Sequence, residues 1–496
     1  MHKRKFLIDL LLILTFSALG FGVMGYHPGI EDDGVYLSAV KSDLNPALFP
    51  HDAEFFRLQL QATFFDRWVA DLIQFTGIPV PTMEMLCQFA AIVLTLFACL
   101  SIVRFLFADR RAQWAGVALV AAMFTLPVSG TALYVFDQHL HARSVASALV
   151  LLAISLILAG LRWRAIPLLL VAFLIHPIMA AMGISFCFFL TLAMSEPAHI
   201  WVQSWYASKR KAALASVVPL GWMFEPPNPL WRKALDTRTY YYLYKWTWYE
   251  WLGAIAPLFL FWLLWRVARK RGETILARFA LAVFAYGVFQ QAVAMLMLAF
   301  PSLVRLTPLQ PMRYLHIVYI FMALIGVALI GKNLLKNSIL RWAAFLLIFN
   351  GTMFAVQRKE FGGSQHIEWP GRAPSNPWLQ AFAWIRANTP TDAYFALDPR
   401  YLEAQGEDYH NFRALAERSQ LADDIKDTAV VTQVPELGPV WNRQVEAQRG
   451  WKTFQIADFE RLKSEFGVGW VVVSFPPPAG LDCRWHNAVL AVCEIP

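Results

Sequence analysis

Long apolar stretches separated by short loops run through the first 356 residues of the chain. About 20 consecutive apolar residues are enough for a helix to cross a bilayer. Of all 496 residues, 57% are hydrophobic and only 16% are charged, which is far too apolar for a soluble protein of this size. The sequence therefore predicts an integral membrane protein that is mainly α, a polytopic transmembrane helix bundle.

The Lys and Arg residues of the short loops indicate on which side of the membrane each loop lies. The formal net charge is +8. Most of the basic clusters lie between apolar stretches, as the positive-inside rule expects, so we predict no nucleic-acid partner. We interpret the basic N-terminus and the apolar run from Phe6 to Val23 as an uncleaved anchor with a cytoplasmic start. The expected location is a bacterial inner membrane.

Hydropathy and basic loops together predict about eleven spans. The apolar run of residues 165–194 is too long for one span, so we divide it at His176-Pro177. The spans predicted after the first are residues 83–106, 114–131, 145–161, two within 165–194, then 212–224, 251–267, 275–300, 314–330 and 339–356. This count places the C-terminal segment on the periplasmic side.

The first outside loop, about residues 25–82, is long enough to have structure of its own. Between Ala53 and Ile73, apolar residues recur at helical spacing among charged ones. This pattern predicts one amphipathic helix lying on the membrane surface. A helix packed against the bundle is the alternative.

From residue 357 onward the composition becomes polar, which predicts a soluble α/β domain of residues 357–496 after a membrane module of residues 1–356. Asn376-Pro377 is typical of a helix start. Residues 393–397 and 470–475 are expected to be buried strands, with helices near 437–448 and 457–466. The last residues, 481–495, resemble a hairpin that a Cys483–Cys493 disulfide would close, with free thiols as the alternative.

Three clusters of ionisable residues are expected on the same outer side of the bundle. The first comprises Glu31, Asp32 and Asp33 with His51, the second comprises Asp137, His139, His141 and Arg143, and the third is His176. Ionisable residues at membrane depth are candidates for function, although a solvated turn or a helix break would also account for them. Arg305 and Arg313 could bind a phosphate or anchor at the lipid headgroups.

Several common active-site motifs are absent from the sequence. It contains no P-loop, no Gly-rich dinucleotide motif, no HExxH and no convincing Ser-His-Asp arrangement. A nucleotide-driven pump or a membrane protease is therefore not expected.

Four features together resemble the GT-C superfamily of polytopic glycosyltransferases. They are the acidic motif Glu31-Asp32-Asp33 after the first span, the long outside loop, Asp137 and the C-terminal outside domain. The chain is also similar to bacterial membrane proteins without an established activity, in three patterns: Glu-Asp-Asp-Gly-Val-Tyr-Leu, Asp137 to Arg143, and His176 to Ala180. The GT-C resemblance implies transfer of a sugar from a polyprenyl-phosphate donor, in contact with membrane lipids, to an extracytoplasmic acceptor.

The GT-C resemblance also implies roles for individual residues. Asp32 or Asp33 would be the general base, with Glu31 and Asp137 as further catalytic carboxylates. The substrate-binding candidates are His139, His141, Arg143, His176, Arg305, Arg313 and His51, with the Arg residues stabilising the departing phosphate. Asp33, Asp137 and His139 are candidate ligands for a divalent cation, Mg or Mn, although no Asp-x-Asp pair occurs here. The oligomeric state is open.

Two other classes of function remain as alternatives. One is a transporter or flippase for a lipid-linked or anionic solute, although no internal repeat is evident. The other is a catalytically silent protein whose outside domain binds glycan through Arg413, Arg418 and Trp441. Because the acidic loop is expected outside the apolar core, we predict that Asp32→Asn and Asp33→Asn both leave folding intact while at least one abolishes activity.

Overall fold

The computed structural model describes residues 2–196 and 228–496. Helices dominate the chain, and a small sheet lies near the C-terminus. The helices are α1 (His2–Met24), α2 (Asp33–Leu44), α3 (Glu54–Leu60), α4 (Phe65–Thr76), α5 (Val80–Leu106), α6 (Arg110–Ala122), α7 (Ala142–Leu158), α8 (Arg162–Ile175), α9 (Pro177–Met194), α10 (Pro229–Asp236), α11 (Trp248–Lys270), α12 (Thr274–Ala299), α13 (Leu315–Ile330), α14 (Ile339–Glu360), α15 (Pro377–Asn388), α16 (Phe412–Ala416), α17 (Lys426–Gln433), α18 (Gly438–Ala447) and α19 (Ile456–Phe466).

The protein is a membrane protein. Within the described residues, seven helical stretches are long and apolar enough to cross a bilayer: Lys5–Met24, Val80–Leu106, Pro177–Met194, Trp248–Lys270, Thr274–Ala299, Ser302–Leu335 and Ile339–Glu360. The count of about eleven spans is not confirmed. Three of the predicted spans correspond to the shorter helices α6, α7 and α8, of 13, 17 and 14 residues. The predicted span at 212–224 lies outside the described residues.

The division of residues 165–194 at His176-Pro177 is confirmed. Helix α8 ends at Ile175 and α9 begins at Pro177. Proline suits this first helical position, because an N–H there would have no acceptor within the helix. The side chain of His176 accepts a hydrogen bond from Met179 N and so caps α9. This break leaves His176 at the junction of the two helices.

The first outside loop contains three helices, not the single helix predicted for residues 53–73. Helix α3 ends at Leu60 and α4 begins at Phe65, and Phe64 N donates to Leu174 O across the break. The helix is therefore interrupted where Phe64 contacts the end of α8. Helix α2, which starts directly at Asp33, was not predicted, and ten of its twelve residues are buried.

The C-terminal elements agree with the sequence prediction. Helix α15 begins at Pro377, and the side chain of Asn376 caps it by accepting from Trp378 N.

The strands are β1 (Pro127–Val128), β2 (Leu133–Tyr134), β3 (Tyr394–Ala396), β4 (Ser419–Gln420), β5 (Trp470–Ser474), β6 (Asp482–His486) and β7 (Leu490–Glu494). The larger sheet has the order β4-β3-β5-β7-β6; β3 is parallel to β4 and β5, while β7 is antiparallel to β5 and β6.

The Cys483–Cys493 disulfide is confirmed, and it joins two directly opposed residues of the β6–β7 hairpin. The placement of a domain boundary at residue 356 stays a prediction. The C-terminal region contacts the first outside loop closely. Isolated bridges pair Tyr26 with Ile367 and Ile30 with His410. A Cβ added at Gly34 would lie 2.4 Å from Asn411 Cβ, so only glycine allows this approach of α2 to the C-terminal region.

Candidate active site

A cavity of about 760 Å³ lies where the loop after α1, the loop between α6 and α7, and the aromatic segment around the start of α11 meet. Five of the predicted site residues line it: Glu31, Asp32, Asp137, His139 and Arg143. Aromatic rings supply much of the remaining wall, from Tyr134, Tyr240, Tyr249, Tyr319, Phe361 and Tyr409. A cavity of this size, in which polar groups converge among aromatic rings, is typical of a small-molecule site.

Asp32 directly precedes α2 and presents a half-exposed carboxylate to the cavity. Lys426 Nζ lies 3.2 Å from Asp32 Oδ1, and Arg143 Nη1 lies 4.0 Å from Oδ2. His141 Nε2 lies 3.4 Å from Oδ2. Burial raises the pKa of Asp32, but Lys426, His141 and Arg143 outweigh burial and hold this pKa well below its usual range. Asp32 is therefore an ionised carboxylate that faces open space.

His141 is fixed in one tautomer by the helix that it caps. Its Nδ1 accepts from Arg143 N at 2.8 Å, at the start of α7. The ring proton is therefore on Nε2 and points to Asp32 Oδ2. Burial and then the charge of Arg143 lower the pKa of His141 to about 4, so the imidazole is neutral at physiological pH.

Asp137 holds Arg143 in place. Its Oδ1 accepts from Arg143 Nη2 at 2.6 Å and its Oδ2 accepts from Arg143 Nε at 3.2 Å, a bidentate pair. Ser144 Oγ also donates to Oδ2. Burial raises the pKa of Asp137, but Arg143 and the two nearby imidazoles of His141 and His139 lower it overall. With both oxygens engaged, Asp137 orients Arg143 toward Asp32.

Other basic side chains surround this pair. The ring centroid of His141 lies 5.7 Å from that of His139 and 6.0 Å from that of His176. Arg313 lines a small neighbouring cavity that shares Tyr240 with the main one. Both ring nitrogens of His139 and the Nε of Arg313 are buried with no hydrogen-bond partner among residues 2–196 and 228–496. Groups of this kind are places where a bound ligand could supply the partner.

The structure places three predicted site residues away from the cavity. Asp33 is 2% exposed and accepts from Gly29 N at 2.6 Å. A hydrogen bond also joins its carboxyl group to that of Glu84. His51 stacks on Tyr394 at 4.6 Å, against the C-terminal sheet. Arg305 belongs to the 3₁₀ segment Pro301–Leu309 and is not among the lining residues.

The burial of Asp33 corrects the expectation that Asp33→Asn leaves folding intact. That expectation assumed that the whole acidic loop lies outside the core, which is wrong for this residue. Asp32 and Asp33 are adjacent at the start of a helix, where successive side chains diverge by about 100°. One therefore faces the cavity while the other faces the protein interior.

Lys426 is the functional candidate that the sequence analysis missed. It begins α17 in the C-terminal region, and its Nζ contacts both Glu31 and Asp32. Asp427, the next residue, forms a bidentate pair with Arg413, at 2.8 and 2.9 Å, and this pair fixes the start of α17. Because Lys426 is 394 residues from Asp32 in sequence, no local pattern indicates the contact.

Comparison with solved structures of known proteins gives several matches. The chain is similar to the Archaeoglobus fulgidus oligosaccharyltransferase, whose crystal structure is a complex with Zn and sulfate. The TM-score is 0.44 at 12% identity, and the match covers 93% of this chain and 68% of that one. No family model and no curated protein matches the sequence.

The candidate metal ligands do not form a metal site in the part of the chain that the structure describes. No group of three or more His, Cys, Asp or Glu side chains there could hold an ion. Both oxygens of Asp137 are engaged by Arg143, and Asp33 is turned toward Glu84. Only His139 retains free nitrogens. These three candidate ligands therefore do not fit a divalent cation.

Proposed function

We propose that the chain is a membrane glycosyltransferase that moves a sugar from a polyprenyl-phosphate donor to an acceptor on the outer side of the membrane. The observation that supports this best is the position of Asp32, an ionised and half-exposed carboxylate beside a cavity of about 760 Å³. The nitrogens of His139 and Arg313 that have no hydrogen-bond partner among the described residues lie in and beside the same cavity.

Asp32 acts as the general base in this proposal. The acceptor oxygen bonds to the anomeric carbon while the bond from that carbon to the phosphate oxygen breaks, and the bonding electron pair leaves with the phosphate. The acceptor proton passes to Asp32. A carboxylate with a lowered pKa is a weak base, so the transfer occurs late, when the attacking oxygen has become acidic. His141 and Lys426 orient the carboxylate, each through one of its oxygens.

Arg143 and Arg313 stabilise the leaving phosphate. Arg143 is fixed by Asp137, so its guanidinium does not need to reorganise as negative charge develops. Arg313 Nε, which has no partner in the part of the chain that the structure describes, can donate to a phosphate oxygen. The lipid chain enters beside the start of α11, where Trp248 and Tyr249 are exposed and Tyr249 also lines the cavity. Exposed aromatic residues of this kind are common at the membrane interface.

The test uses purified full-length protein in nanodiscs with a panel of short-chain polyprenyl-phosphate hexoses, and it measures release of the free polyprenyl phosphate. Asp32→Asn is expected to reduce this release by roughly 10²- to 10⁴-fold, the usual contribution of a general base. Asp43→Asn is the matched control, because Asp43 is an exposed carboxylate on α2, the helix that Asp32 precedes, and does not line the cavity. Normal release by Asp32→Asn would remove the assignment and favour a silent or transporting protein.

A further inference from the structure

The carboxylates that line the cavity outnumber its cations. Among the lining residues that the structure describes, Glu31, Asp32, Asp137, Glu250 and Glu360 are acidic, and Arg143 is the one basic residue other than histidine. Arg143 is paired with Asp137, and Lys426 reaches Glu31 and Asp32 from outside the lining. The cavity therefore keeps a net negative charge, which a neutral sugar and a hydroxyl acceptor would not require.

The excess charge is concentrated on one wall, which we call the acidic wall: Glu31, Glu360, Tyr134 and Tyr409. Glu360 ends α14, is exposed, and has no ion-pair partner within residues 2–196 and 228–496. The pKa values of the Tyr134 and Tyr409 hydroxyls are both raised, first by burial and then by the charges of Glu360 and Glu31. All four residues line the cavity, and Glu31 N donates to Tyr409 O at 3.2 Å, so these carboxylates and rings act on the same part of it.

A second observation points independently to a ligand. His139 lines the same cavity, is 2% exposed, and has no hydrogen-bond partner for either ring nitrogen within the described ranges. A buried imidazole is normally hydrogen-bonded, so an unpaired one that borders open space offers a position for a polar ligand atom. A ring nitrogen without a proton can accept a hydrogen bond from an ammonium group or from a sugar hydroxyl.

We propose that the substrate group that occupies the acidic wall carries a protonated amine, on either the transferred sugar or the acceptor. An ammonium group donates up to three hydrogen bonds, which Glu31 and Glu360 can accept, and its charge is attracted to the faces of tyrosine rings. The anionic phosphate lies at the other side, by Arg143 and Arg313. The inference rests on the proposed function only in treating this cavity as the substrate site.

The test is equilibrium binding to the full-length protein in zwitterionic nanodiscs, measured by calorimetry with D-glucosamine, N-acetylglucosamine and ethanolamine. D-Glucosamine is expected to bind at least about tenfold more tightly than N-acetylglucosamine, which lacks the charge. Glu360→Gln should remove most of this difference. Glu460→Gln is the control, since Glu460 is exposed on α19 and does not line the cavity.

The probes also distinguish the two sources of the amine. Tighter binding of D-glucosamine than of ethanolamine places the amine on the sugar, and the reverse order places it on the acceptor. Equal binding of D-glucosamine and N-acetylglucosamine, or an unchanged preference in Glu360→Gln, overturns the inference. The measurement does not depend on turnover: a protein that binds amines but releases no polyprenyl phosphate would overturn only the proposed function, and a transferase with no amine preference would overturn only this inference.

Discussion

Replacing Arg413 by Met tests whether the C-terminal region is fixed to the first outside loop by a buried ion pair. Arg413 is 3% exposed, and its Nη1 and Nη2 donate to Asp427 at 2.8 and 2.9 Å. Its Nε donates to Asp52 Oδ2, in the first outside loop between α2 and α3. Asp52 and Asp427 are themselves buried. Met occupies a similar volume but leaves both carboxylates without their cation.

Breaking a buried pair in this way destabilises a protein by about 3–5 kcal/mol, because an uncompensated charge stays in the interior. A change of about 1.4 kcal/mol alters an equilibrium tenfold. The population in which the C-terminal region is detached should therefore rise by roughly 10²- to 4 × 10³-fold. Proteolysis tracks the population of the open form when reclosing is fast, so thermolysin should cleave this region faster by the same factor.

The pH dependence separates lost charge pairing from lost packing. Burial raises the pKa of Asp427 to about 7 even though Arg413 acts to lower it, so without Arg413 it should rise further. When the pKa of a carboxyl is higher in the folded than in the unfolded protein, the folded state binds more protons, and stability falls as pH rises between the two pKa values. The difference between wild type and Arg413→Met should therefore be smaller at pH 6 than at pH 8.5.

The control for this prediction is Arg484→Met. Arg484 is more than half exposed and, among residues 2–196 and 228–496, pairs only with Asp482 and Glu494 on the surface of the hairpin. Exposed pairs of this kind contribute at most about 1 kcal/mol. Cleavage of Arg413→Met at the same rate as the control would refute the reasoning. A difference that does not change with pH would assign the effect to packing.

Three further predictions address the site and its support. Lys426→Met should move the acid limb of the kcat/KM profile up by about one pH unit. A charge-assisted hydrogen bond contributes at least about 1.5 kcal/mol, and we take this lower value because Asp32 is half-exposed. An acid limb that does not move would contradict a role for Lys426. Asp33→Ala should lower stability in thermal unfolding by about 1–3 kcal/mol, since Gly29 N and Glu84 lose their partner, and Asp32→Ala should lower it less. Cys483→Ser should reduce the free energy of unfolding by about 2–3 kcal/mol by opening a loop with a sequence separation of 10, and reductant should have no further effect on this variant.

The parts of the fold that follow from local patterns were predictable. Pro at the first helical position with a capping side chain before it indicates both α9 and α15, and alternation with paired cysteines indicates the β6–β7 hairpin. Helix α2 was missed for a physical reason. Residues Asp33 to Ser42 are buried on every side, so the helix has no polar face and no amphipathic period by which sequence could reveal it.

The site was predictable only in outline. Hydropathy places the loops that contain Asp32, Asp137 and His139 on the same side of the bundle, and the cavity brings these three residues together. Which carboxylate oxygen of Asp32 or Asp137 accepts a hydrogen bond from which side chain depends on contacts that sequence spacing does not encode. Lys426 comes from α17, and the register of α17 depends on Arg413, which in turn contacts Asp52 in a different segment. A pattern limited to neighbouring residues cannot indicate such a chain of contacts.

Comparing the four predicted catalytic carboxylates explains why Asp32 is the one we assign as the base. Asp137 has both oxygens engaged by Arg143, and Asp33 is buried between Gly29 N and Glu84. Glu31 lines the cavity but is paired with Lys426 alone, with no imidazole to fix its orientation among the described contacts. Asp32 combines a neutral imidazole on one oxygen with a lysine on the other, and its carboxylate still meets the cavity. Lys426 contacts both Glu31 and Asp32. An ammonium group that binds Glu31 would replace Lys426 there, so that Lys426 would pair with Asp32 alone. The charge of the substrate would then change the environment of the base.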